Sequence, residues 1–299
     1  MMRVIELRSS TIFILTCVFA LLPVTGEAQS IQDGPGNWRL DLKLASRINP
    51  IGLALRPALG YRISLSDSDH LVLKGTHIET GFLGAVSPAS FHPGMYVTVV
   101  PIAPLVLRLR VQQLRYFGLF GNLSEYDSLE PDWRDEIRQE SMTNGRHETA
   151  IRAQAQAQFR IFYRGVAMMT QYTFGLYQAD IGLGGSWYES SDDLLLARNE
   201  QVHRVDSLLG WYASGSPFSV QHLLLGGLWQ GYWVEKTGIR RHIAGGVVGY
   251  RPGWLPERRL TALFLFARYF EDVYRTGEFY FGSMISMTWE NLTSKPDAP

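Results

Sequence analysis

The residues from Ile51 to Leu65 alternate between two kinds of side chain. Odd positions are bulky and apolar, and they are Ile51, Leu53, Leu55, Pro57, Leu59, Tyr61, Ile63 and Leu65. Even positions are small or cationic, and they include Arg56 and Arg62. Because successive side chains of a strand point to opposite faces, this pattern predicts a strand with one apolar and one small or charged face. Its length suits a transmembrane strand of about 9–11 residues better than a soluble strand of about 5–6 residues.

Similar alternation along the rest of the chain predicts about twelve strands in all. They are Trp38–Arg47, Ile51–Leu65, Leu71–Phe82, Met95–Val100, Leu105–Phe117, Ile151–Arg164, Val166–Gln178, Val202–Ala213, Phe218–Val234, Ile239–Arg251, Arg258–Phe270 and Phe279–Glu290. An even number of long strands predicts an all-β fold, an antiparallel transmembrane up-and-down β-barrel. A soluble β-sandwich or a lipocalin-like barrel is the alternative, and such a protein would be a monomer without detergent.

The connections between these strands alternate in length. The two longest, Gly118–His147 and Ile181–Asn199, are polar and both follow odd-numbered strands. The links after even-numbered strands are short, and they are Ser66–Asp69, Pro101–Pro104, Arg164-Gly165, Ser214–Pro217 and Pro252–Pro256. Short periplasmic turns and long extracellular loops are the rule for transmembrane barrels, so the asymmetry supports the strand assignment. Within the first insertion, Ser128–Gln139 is predicted to be a short helix that Ser128 caps.

The first residues have the pattern of a secretory signal peptide. Arg3 and Arg8 precede the apolar run Ile12–Leu22, and Gly26-Glu27-Ala28 offers small residues for cleavage after Ala28. The predicted organisation is a cleaved signal peptide at 1–28, a flexible segment at 29–37, a barrel at 38–290 and a polar tail at 291–299. An uncleaved anchor is the alternative, although the apolar run is shorter than the roughly 20 residues that a membrane helix needs.

Composition narrows the classes of function. Hydrophobic residues make up 46% of the 299 residues and charged residues 19%, and the mean hydropathy is −0.05. This balance is typical of barrels, in which outward apolar and inward polar residues average out. The formal net charge is zero, which argues against a nucleic-acid partner. The one cysteine, Cys17, lies in the predicted leader, so thiol catalysis, disulfides and cysteine-based zinc sites are excluded from the mature chain.

The leader, the alternation, the loop asymmetry and the aromatic last strand Phe279–Trp289 together resemble those of bacterial outer-membrane β-barrel proteins as a class. The resemblance implies export through the periplasm and a place in the bacterial outer membrane of a Gram-negative cell. It also implies outer-membrane lipids, lipopolysaccharide and the barrel-assembly machinery as partners. In that class an aromatic residue usually ends the chain, whereas here Asn291–Pro299 follows the last strand.

The predicted inward faces carry many cations. The candidate lumen and anion-binding residues are Arg39, Lys43, Arg56, Arg62, Arg108, Arg110, Arg152 and Arg160, and Arg47 belongs to the same faces. Few acids accompany them in this half of the chain, Asp41 and Glu79 being the best candidates, whereas Asp206 and Glu290 come later. Since arginine suits carboxylate and phosphate and cation rings line anion pathways, the pattern predicts a porin-like channel or small-solute transporter that favours small anionic solutes. The alternative is a plugged lumen in which these arginines meet carboxylates and Gln residues.

Catalytic signals are sparse, and an enzyme is the less favoured class. A lipid or lipopolysaccharide hydrolase would need a Ser or Thr nucleophile beside a His, and the candidates at the outer rim are Ser141, His147 and Thr149. No catalytic, cofactor or metal residue is assigned, because the histidines show no ligand spacing. The aromatic residues predicted to form interfacial girdles are Trp38, Tyr61, Trp211, Trp229, Tyr232, Trp233, Tyr250, Trp254, Tyr269 and Trp289. A structural or adhesion barrel is the third hypothesis.

Overall fold

A computed structural model of the chain describes residues 37–49, 51–66, 68, 70–117, 125–131, 133, 149–181, 185–213, 220–252 and 260–290. The predicted signal peptide 1–28, the tail 291–299 and nearly all of the segment 29–37 lie outside these residues. The regular elements within them are all β-strands. None of the described segments is a helix of the length and apolarity needed to cross a membrane.

The described residues form seventeen strands, which follow one another along the chain. They are β1 Asn37–Ile48, β2 Gly52–Ser64, β3 His77–Leu83, β4 Val86–Ser87, β5 Ser90–Phe91, β6 Gly94–Ile102, β7 Leu105–Tyr116, β8 Glu125–Tyr126, β9 Thr149–Tyr163, β10 Val166–Ala179, β11 Ser186–Glu189, β12 Leu194–Ala197, β13 Asn199–Ala213, β14 Val220–Val234, β15 Arg240–Pro252, β16 Thr261–Glu271 and β17 Phe279–Glu290. The predicted strand Leu71–Phe82 begins later than expected, because residues 71–75 form a turn.

Twelve of these strands close into an antiparallel barrel. Each pairs with its neighbours in the order β1, β2, β3, β6, β7, β9, β10, β13, β14, β15, β16, β17, and β17 returns to β1. The closing pair runs from Arg39 opposite Glu290 to Ile48 opposite Phe281. The predicted fold class is therefore confirmed, and the small strands β4 and β5 add a hairpin that pairs with β2 and β7.

The two faces of the barrel wall differ as the alternation predicts. Leu53, Leu55 and Leu59 point outward and are 51%, 39% and 39% exposed. Arg62 lies on the opposite face, where its side chain is 11% exposed and bonds to another inward side chain. The exterior is thus an apolar surface of the kind that faces hydrocarbon, and the interior is polar.

Links between the barrel strands lie at two ends. The links 65–76, 103–104, 164–165, 214–219 and 253–260 share what we call the turn end, and the links 49–51, 84–93, 117–148, 180–198, 235–239 and 272–278 share the loop end. At the turn end, Arg164 and Gly165 both have positive φ, 48° and 83°, which is the backbone of a two-residue hairpin turn. The predicted helix Ser128–Gln139 falls largely outside the described residues.

A hairpin from the link 180–198 fills the loop-end half of the lumen. Strands β11 and β12 pair with each other, β8 from the link 117–148 adds to them, and every residue of β11 and β12 is buried. Trp187, Leu194, Leu195 and Leu196 pack with inward side chains of the wall, including Leu114. The expectation of a polar external insertion at Ile181–Asn199 is therefore wrong, because these apolar side chains are buried by folding inward. We call residues 186–197 the plug hairpin.

Candidate functional site

The carboxylate of Glu79 interacts with two arginines near the turn end of the lumen. Glu79 on β3 accepts hydrogen bonds from Arg62 Nε at 3.0 Å and Nη2 at 2.8 Å, and from the Tyr96 hydroxyl at 2.7 Å. Arg39 Nη1 lies 3.8 Å from the same carboxylate, and its Nη2 lies 3.0 Å from Asp41. Two of the predicted anion-binding residues, Arg39 and Arg62, are therefore neutralised by the wall itself.

A glycine makes this cluster possible. A side chain at Gly60 on β2 would overlap the hydroxyl of Tyr96 and approach the Glu79 side chain. Without a Cβ at this point, the Tyr96 hydroxyl lies over the β2 backbone and reaches the Glu79 carboxylate. The small residue in the middle of a long strand thus has a packing role.

The tip of the plug hairpin places a first carboxylate, that of Asp192, among arginines of the wall. Asp192 Oδ2 accepts hydrogen bonds from Arg152 Nη1 at 3.2 Å and from the Tyr177 hydroxyl at 2.9 Å. Its Oδ1 lies 3.6 Å from Arg204 Nη1 on β13. Another predicted anion-binding residue, Arg152, therefore holds the plug, together with Arg204, which the sequence analysis did not select.

A second carboxylate of the tip, Asp193, is 1% exposed. Its Oδ2 lies 3.1 Å from Arg241 Nη2 and 3.2 Å from Arg275 Nε, and its Oδ1 accepts a hydrogen bond from the Tyr188 hydroxyl at 2.6 Å. Arg47 donates to the carbonyl oxygens of Ser190 and Ser191. These contacts fix the tip to β1, to β15 and to the link 272–278 of the wall.

The arginines keep both tip carboxyl groups ionised. Burial alone would raise the pKa of Asp192, but Arg152 and Arg204 lower it by more, so the pKa lies well below its ordinary value. The pKa of Asp193 is likewise raised by burial and lowered further by Arg241 and Arg275, with a net decrease. The plug hairpin therefore remains negatively charged at its tip at neutral and mildly acidic pH.

Four other predicted cations lie between the turn-end cluster and the plug, and we call them the mid-lumen cations. They are Lys43, Arg56, Arg108 and Arg110. Arg108 donates to Thr98 Oγ1 at 2.8 Å and Arg110 donates to Gln154 Oε1 at 2.5 Å, which are both neutral acceptors. None of the four forms an ion pair with a carboxylate of the described residues. Arg56 is exposed to the lumen, and the other three are half-buried.

The remaining predicted cation, Arg160, is exposed near the turn end of β9, where its Nε donates to the Ala103 carbonyl oxygen at 3.4 Å. The eight predicted residues thus divide by environment. Arg39, Arg62 and Arg152 have carboxylate partners, whereas Lys43, Arg56, Arg108, Arg110 and Arg160 have none among the described side chains. Whether any of them binds a solute stays a prediction.

Two aromatic residues that were assigned to the girdles face the interior instead. Tyr232 is 7% exposed and lies under the guanidinium groups of Arg204 and Arg241. Tyr269 is 1% exposed and its hydroxyl donates to the Asn49 carbonyl oxygen at 2.8 Å. The girdle assignment was wrong for both, because it relied on residue type. Tyr232 lies on the same face of β14 as the polar Gln230, so the alternation of residue types could have indicated that Tyr232 points inward.

The catalytic candidates lie mostly outside the described residues, since Ser141 and His147 are not among them. Thr149 is the first residue of β9 and is exposed. Two other histidines lie on the outer face, where His203 Nδ1 is 2.7 Å from the Tyr172 hydroxyl and His242 stacks on Trp229 at a ring distance of 5.6 Å. Within the described ranges no three His, Cys, Asp or Glu side chains are grouped as a metal site would require.

Comparison with known proteins gives distant structural similarity only. No family model matches the chain, and no curated protein matches it. Similar solved structures include the β-domain of the Bordetella autotransporter BrkA, with 13% identity, a TM-score of 0.44 and coverage of 85% of this chain and 99% of that chain. The NanC porin has 11% identity, a TM-score of 0.39 and coverage of 84% and 98%. LpxR from Salmonella typhimurium has 10% identity, a TM-score of 0.38 and coverage of 84% and 99%.

The architecture itself follows from the strand pairing and the two faces of the wall. Twelve antiparallel strands close without a free edge, the outward side chains of β2 are apolar, and the lumen contains the charged residues. A β-structure in a bilayer needs closure and an apolar exterior, because the hydrocarbon core contains no water to form hydrogen bonds with unpaired backbone N–H and C=O groups. The chain is therefore a closed 12-stranded antiparallel β-barrel with the architecture of a transmembrane barrel.

Proposed function

We propose that this protein is an outer-membrane channel for small anionic solutes. The observation that carries the proposal is the group of mid-lumen cations, Lys43, Arg56, Arg108 and Arg110, which have no carboxylate partner among the described residues. Elsewhere in the lumen, at Glu79 and at the plug tip, cations and carboxylates are paired. The middle of the lumen therefore carries a positive charge that the described wall residues do not neutralise.

An uncompensated charge inside a narrow lumen favours mobile ions of opposite sign. Low-dielectric walls weaken screening, so the potential of four cations extends across the space between them. Rings of Arg and Lys act in this way in anion pathways. Guanidinium groups also present several donors to a carboxylate or oxyanion at once.

The plug hairpin limits what can pass. It occupies the loop-end half of the lumen and is held there by ion pairs of Asp192 and Asp193. We therefore expect a low conductance that is restricted to small ions, rather than the large conductance of an open porin. In this proposal the outer apolar surface contacts outer-membrane lipids and lipopolysaccharide, and the barrel-assembly machinery inserts the chain.

Planar bilayer recordings test the proposal. In a KCl gradient, the reversal potential of the purified barrel should show anion selectivity. The variant Lys43→Gln/Arg56→Gln/Arg108→Gln should lose most of this selectivity, because three of the four mid-lumen charges are removed. The matched control Arg115→Gln removes a charge from the exposed side chain of Arg115, which contacts Gln113, and should leave selectivity unchanged.

A second candidate function is favoured by the plug. A lumen that is closed at its loop end would suit a structural or adhesion barrel whose loops bind a partner. The same recordings separate the two candidates, because a barrel without ion conductance would contradict the channel and support the structural role. Cation selectivity would contradict the proposed part played by the mid-lumen cations.

A further inference from the structure

A small cavity lies directly beside the tip of the plug hairpin, in the polar interior of the barrel. Its walls come from five barrel strands and from Asp192 of the tip. The lining residues are Arg110, Gln154, Gln156, Thr173, Tyr177, Asp192, Val202, Arg204 and Tyr232. Eight of these nine side chains are polar or charged, so the cavity is suited to a polar ligand and not to an apolar one.

The charges that line the cavity do not balance. Arg204 is paired with Asp206, with 2.8 Å between its Nε and Oδ2, and Asp192 is bound by Arg152 and Tyr177. Arg110 has only the neutral Gln154 oxygen as a hydrogen-bond partner of its Nε, at 2.5 Å. Its two terminal nitrogens have no acceptor among the described residues. The carboxylate of Asp192 also lines the cavity, but Arg152 and Arg204 share it, so it does not offset the charge of Arg110 in full. A guanidinium that is removed from bulk water with incomplete compensation is costly, and a bound anion would offset that cost.

The ligand that fits is small. The free space in the cavity is little larger than one water molecule needs, so a sugar, a nucleotide or a drug-sized molecule is excluded. The donors beside the space are the free nitrogens of Arg110, the Thr173 hydroxyl and the amide group of Gln156. Positive charge, hydrogen-bond donors and little room together select a monovalent anion of halide size.

We propose that the cavity beside Asp192 is a binding site for one halide-sized monovalent anion, with Arg110 as its principal cation. The inference deepens the proposed function, because it names the class of anion and the narrowest point at which it is held. Only the statement that the site lies on a conduction pathway rests on the proposed function. Binding in the cavity can be measured whether or not the barrel conducts.

Crystals of the detergent-solubilised barrel grown in NaBr test the site directly. We expect an anomalous bromide peak within the cavity, between Arg110 and Thr173. A cavity that contains only water in 0.5 M bromide, a concentration on the order of that used for halide soaks, would overturn the inference. This measurement uses the unaltered chain and does not depend on whether a variant folds.

Chloride-35 NMR line broadening provides the solution test. The wild-type barrel should broaden the chloride signal, and Arg110→Gln should weaken chloride binding by about tenfold or more, which corresponds to about 1.4 kcal/mol. The control Arg160→Gln removes an exposed lumen cation outside the cavity and should retain the broadening. Arg110→Lys keeps the charge and should retain part of it, which excludes simple misfolding. Equal broadening by wild type and Arg110→Gln would contradict the site.

The two proposals fail in different ways. Anion selectivity in the bilayer without a bromide peak would contradict the cavity site and leave the channel intact. A bromide peak without any conductance would support the site and contradict the channel. Broadening that is lost equally in Arg110→Gln and Arg160→Gln would assign binding to the lumen charge in general and overturn the specific site.

Discussion

Glu79 contacts two arginines near the turn end of the lumen. It lies on the lumen face of β3, its side chain is 4% exposed, and it bonds to Arg62 and Tyr96 while Arg39 approaches it. Loss of the Glu79 carboxylate would leave Arg62 with Glu290 at 3.6 Å and Arg39 with Asp41 at 3.0 Å, so each guanidinium would keep only part of its compensation. Glu79, Asp41 and Glu290 together supply the negative charge that neutralises the two predicted anion-binding residues Arg39 and Arg62.

Replacement Glu79→Gln weakens the charge-assisted hydrogen bonds from Arg62 and should therefore destabilise the barrel by about 1.5–3 kcal/mol. The loss would appear as a lower midpoint of urea unfolding in detergent micelles. Asp180→Asn is the matched control, because Asp180 is 95% exposed and lies 3.7 Å from Arg198 at the loop end. Exposed pairs contribute little, so the control should change stability by less than about 0.5 kcal/mol. Equal effects of the two changes would contradict this account of Glu79.

A second residue gives a prediction about pH. His92 lies in the link between β5 and β6, is 2% exposed, and its Nε2 has no hydrogen-bond partner among the described groups. Burial and the nearby charge of Arg152 lower its pKa to about 3. Below the ordinary imidazole pKa of about 6.5, the unfolded chain binds a proton that the folded chain does not. Stability should consequently fall as the pH decreases from about 6.5 toward 3.

The contribution of His92 is at most about 1.4 kcal/mol for each pH unit in this range. We expect His92→Gln to reduce the loss of unfolding free energy between pH 7 and pH 5, measured by urea titration at the two pH values. His70→Gln serves as a control, because His70 is exposed in the link 65–76, where its ring nitrogen accepts a hydrogen bond from the Val72 backbone nitrogen. A pH dependence that is identical in wild type and His92→Gln would contradict the prediction.

At the scale of the element, the plug hairpin combines an apolar stem with a charged tip. Its stem packs Trp187 and Leu194–Leu196 against the wall, and its tip directs Asp192 and Asp193 at four arginines. Glu200, at the start of β13, accepts hydrogen bonds from the backbone nitrogens of Ala197, Lys236 and Thr237. The hairpin is therefore anchored at both its tip and its base.

Weakening the ion pairs of the plug tip should allow the tip to leave its site in the lumen. Asp193→Asn removes the charge that Arg241 and Arg275 share, so the tip should leave its site more often. Cys17 is the only cysteine of the sequence, so a Ser191→Cys substitution made together with Cys17→Ser gives a unique reporter for the tip. Maleimide labelling of this cysteine should become about tenfold faster in the Asp193→Asn background. The control combines Ser191→Cys with Asp180→Asn in place of Asp193→Asn and should leave the labelling rate unchanged. An unaltered rate with Asp193→Asn would show that the stem alone holds the hairpin.

The sequence predicted the strands of the barrel wall better than the side-chain contacts inside the lumen. Alternation sets the direction of each wall side chain, so the inward cations Arg56, Arg110 and Arg152 and the outward Leu53 were assigned correctly from period alone. Alternation does not say which inward residues meet across the lumen. The pairing of Arg152 with Asp192 joins β9 to a distant link, and the run Leu194–Leu196 was the one local sign that this link is buried.

At the scale of the whole molecule, the barrel separates two environments. Leu109 on β7 is 62% exposed and points away from the lumen. Its neighbours Arg108 and Arg110 point inward, where they donate to Thr98 and Gln154. One strand therefore places hydrocarbon contacts and aqueous charges on opposite sides of a single backbone.

A cation moved to the outer side should be tolerated poorly. Leu109→Arg should destabilise the barrel in phospholipid vesicles by about 2–4 kcal/mol, the range for Arg near the bilayer midplane. Ala58→Arg is the control, because position 58 faces the lumen opposite Asp41 in the β1–β2 register. Folding yield into vesicles and urea midpoints measure both changes, and a larger loss with Ala58→Arg would indicate that the faces have been assigned the wrong way round.

The seam between β1 and β17 joins the two ends of the barrel sequence, with Arg39 opposite Glu290. Contacts between residues so far apart in the sequence form slowly, because the entropy cost of closing a long loop precedes the favourable free energy of the contacts. Until that seam forms, two backbone edges lack partners, a condition that hydrocarbon does not tolerate. Insertion and ring closure must therefore be coupled events, and a polypeptide halted before its last strand would be exposed to proteolysis and would not form a smaller cylinder.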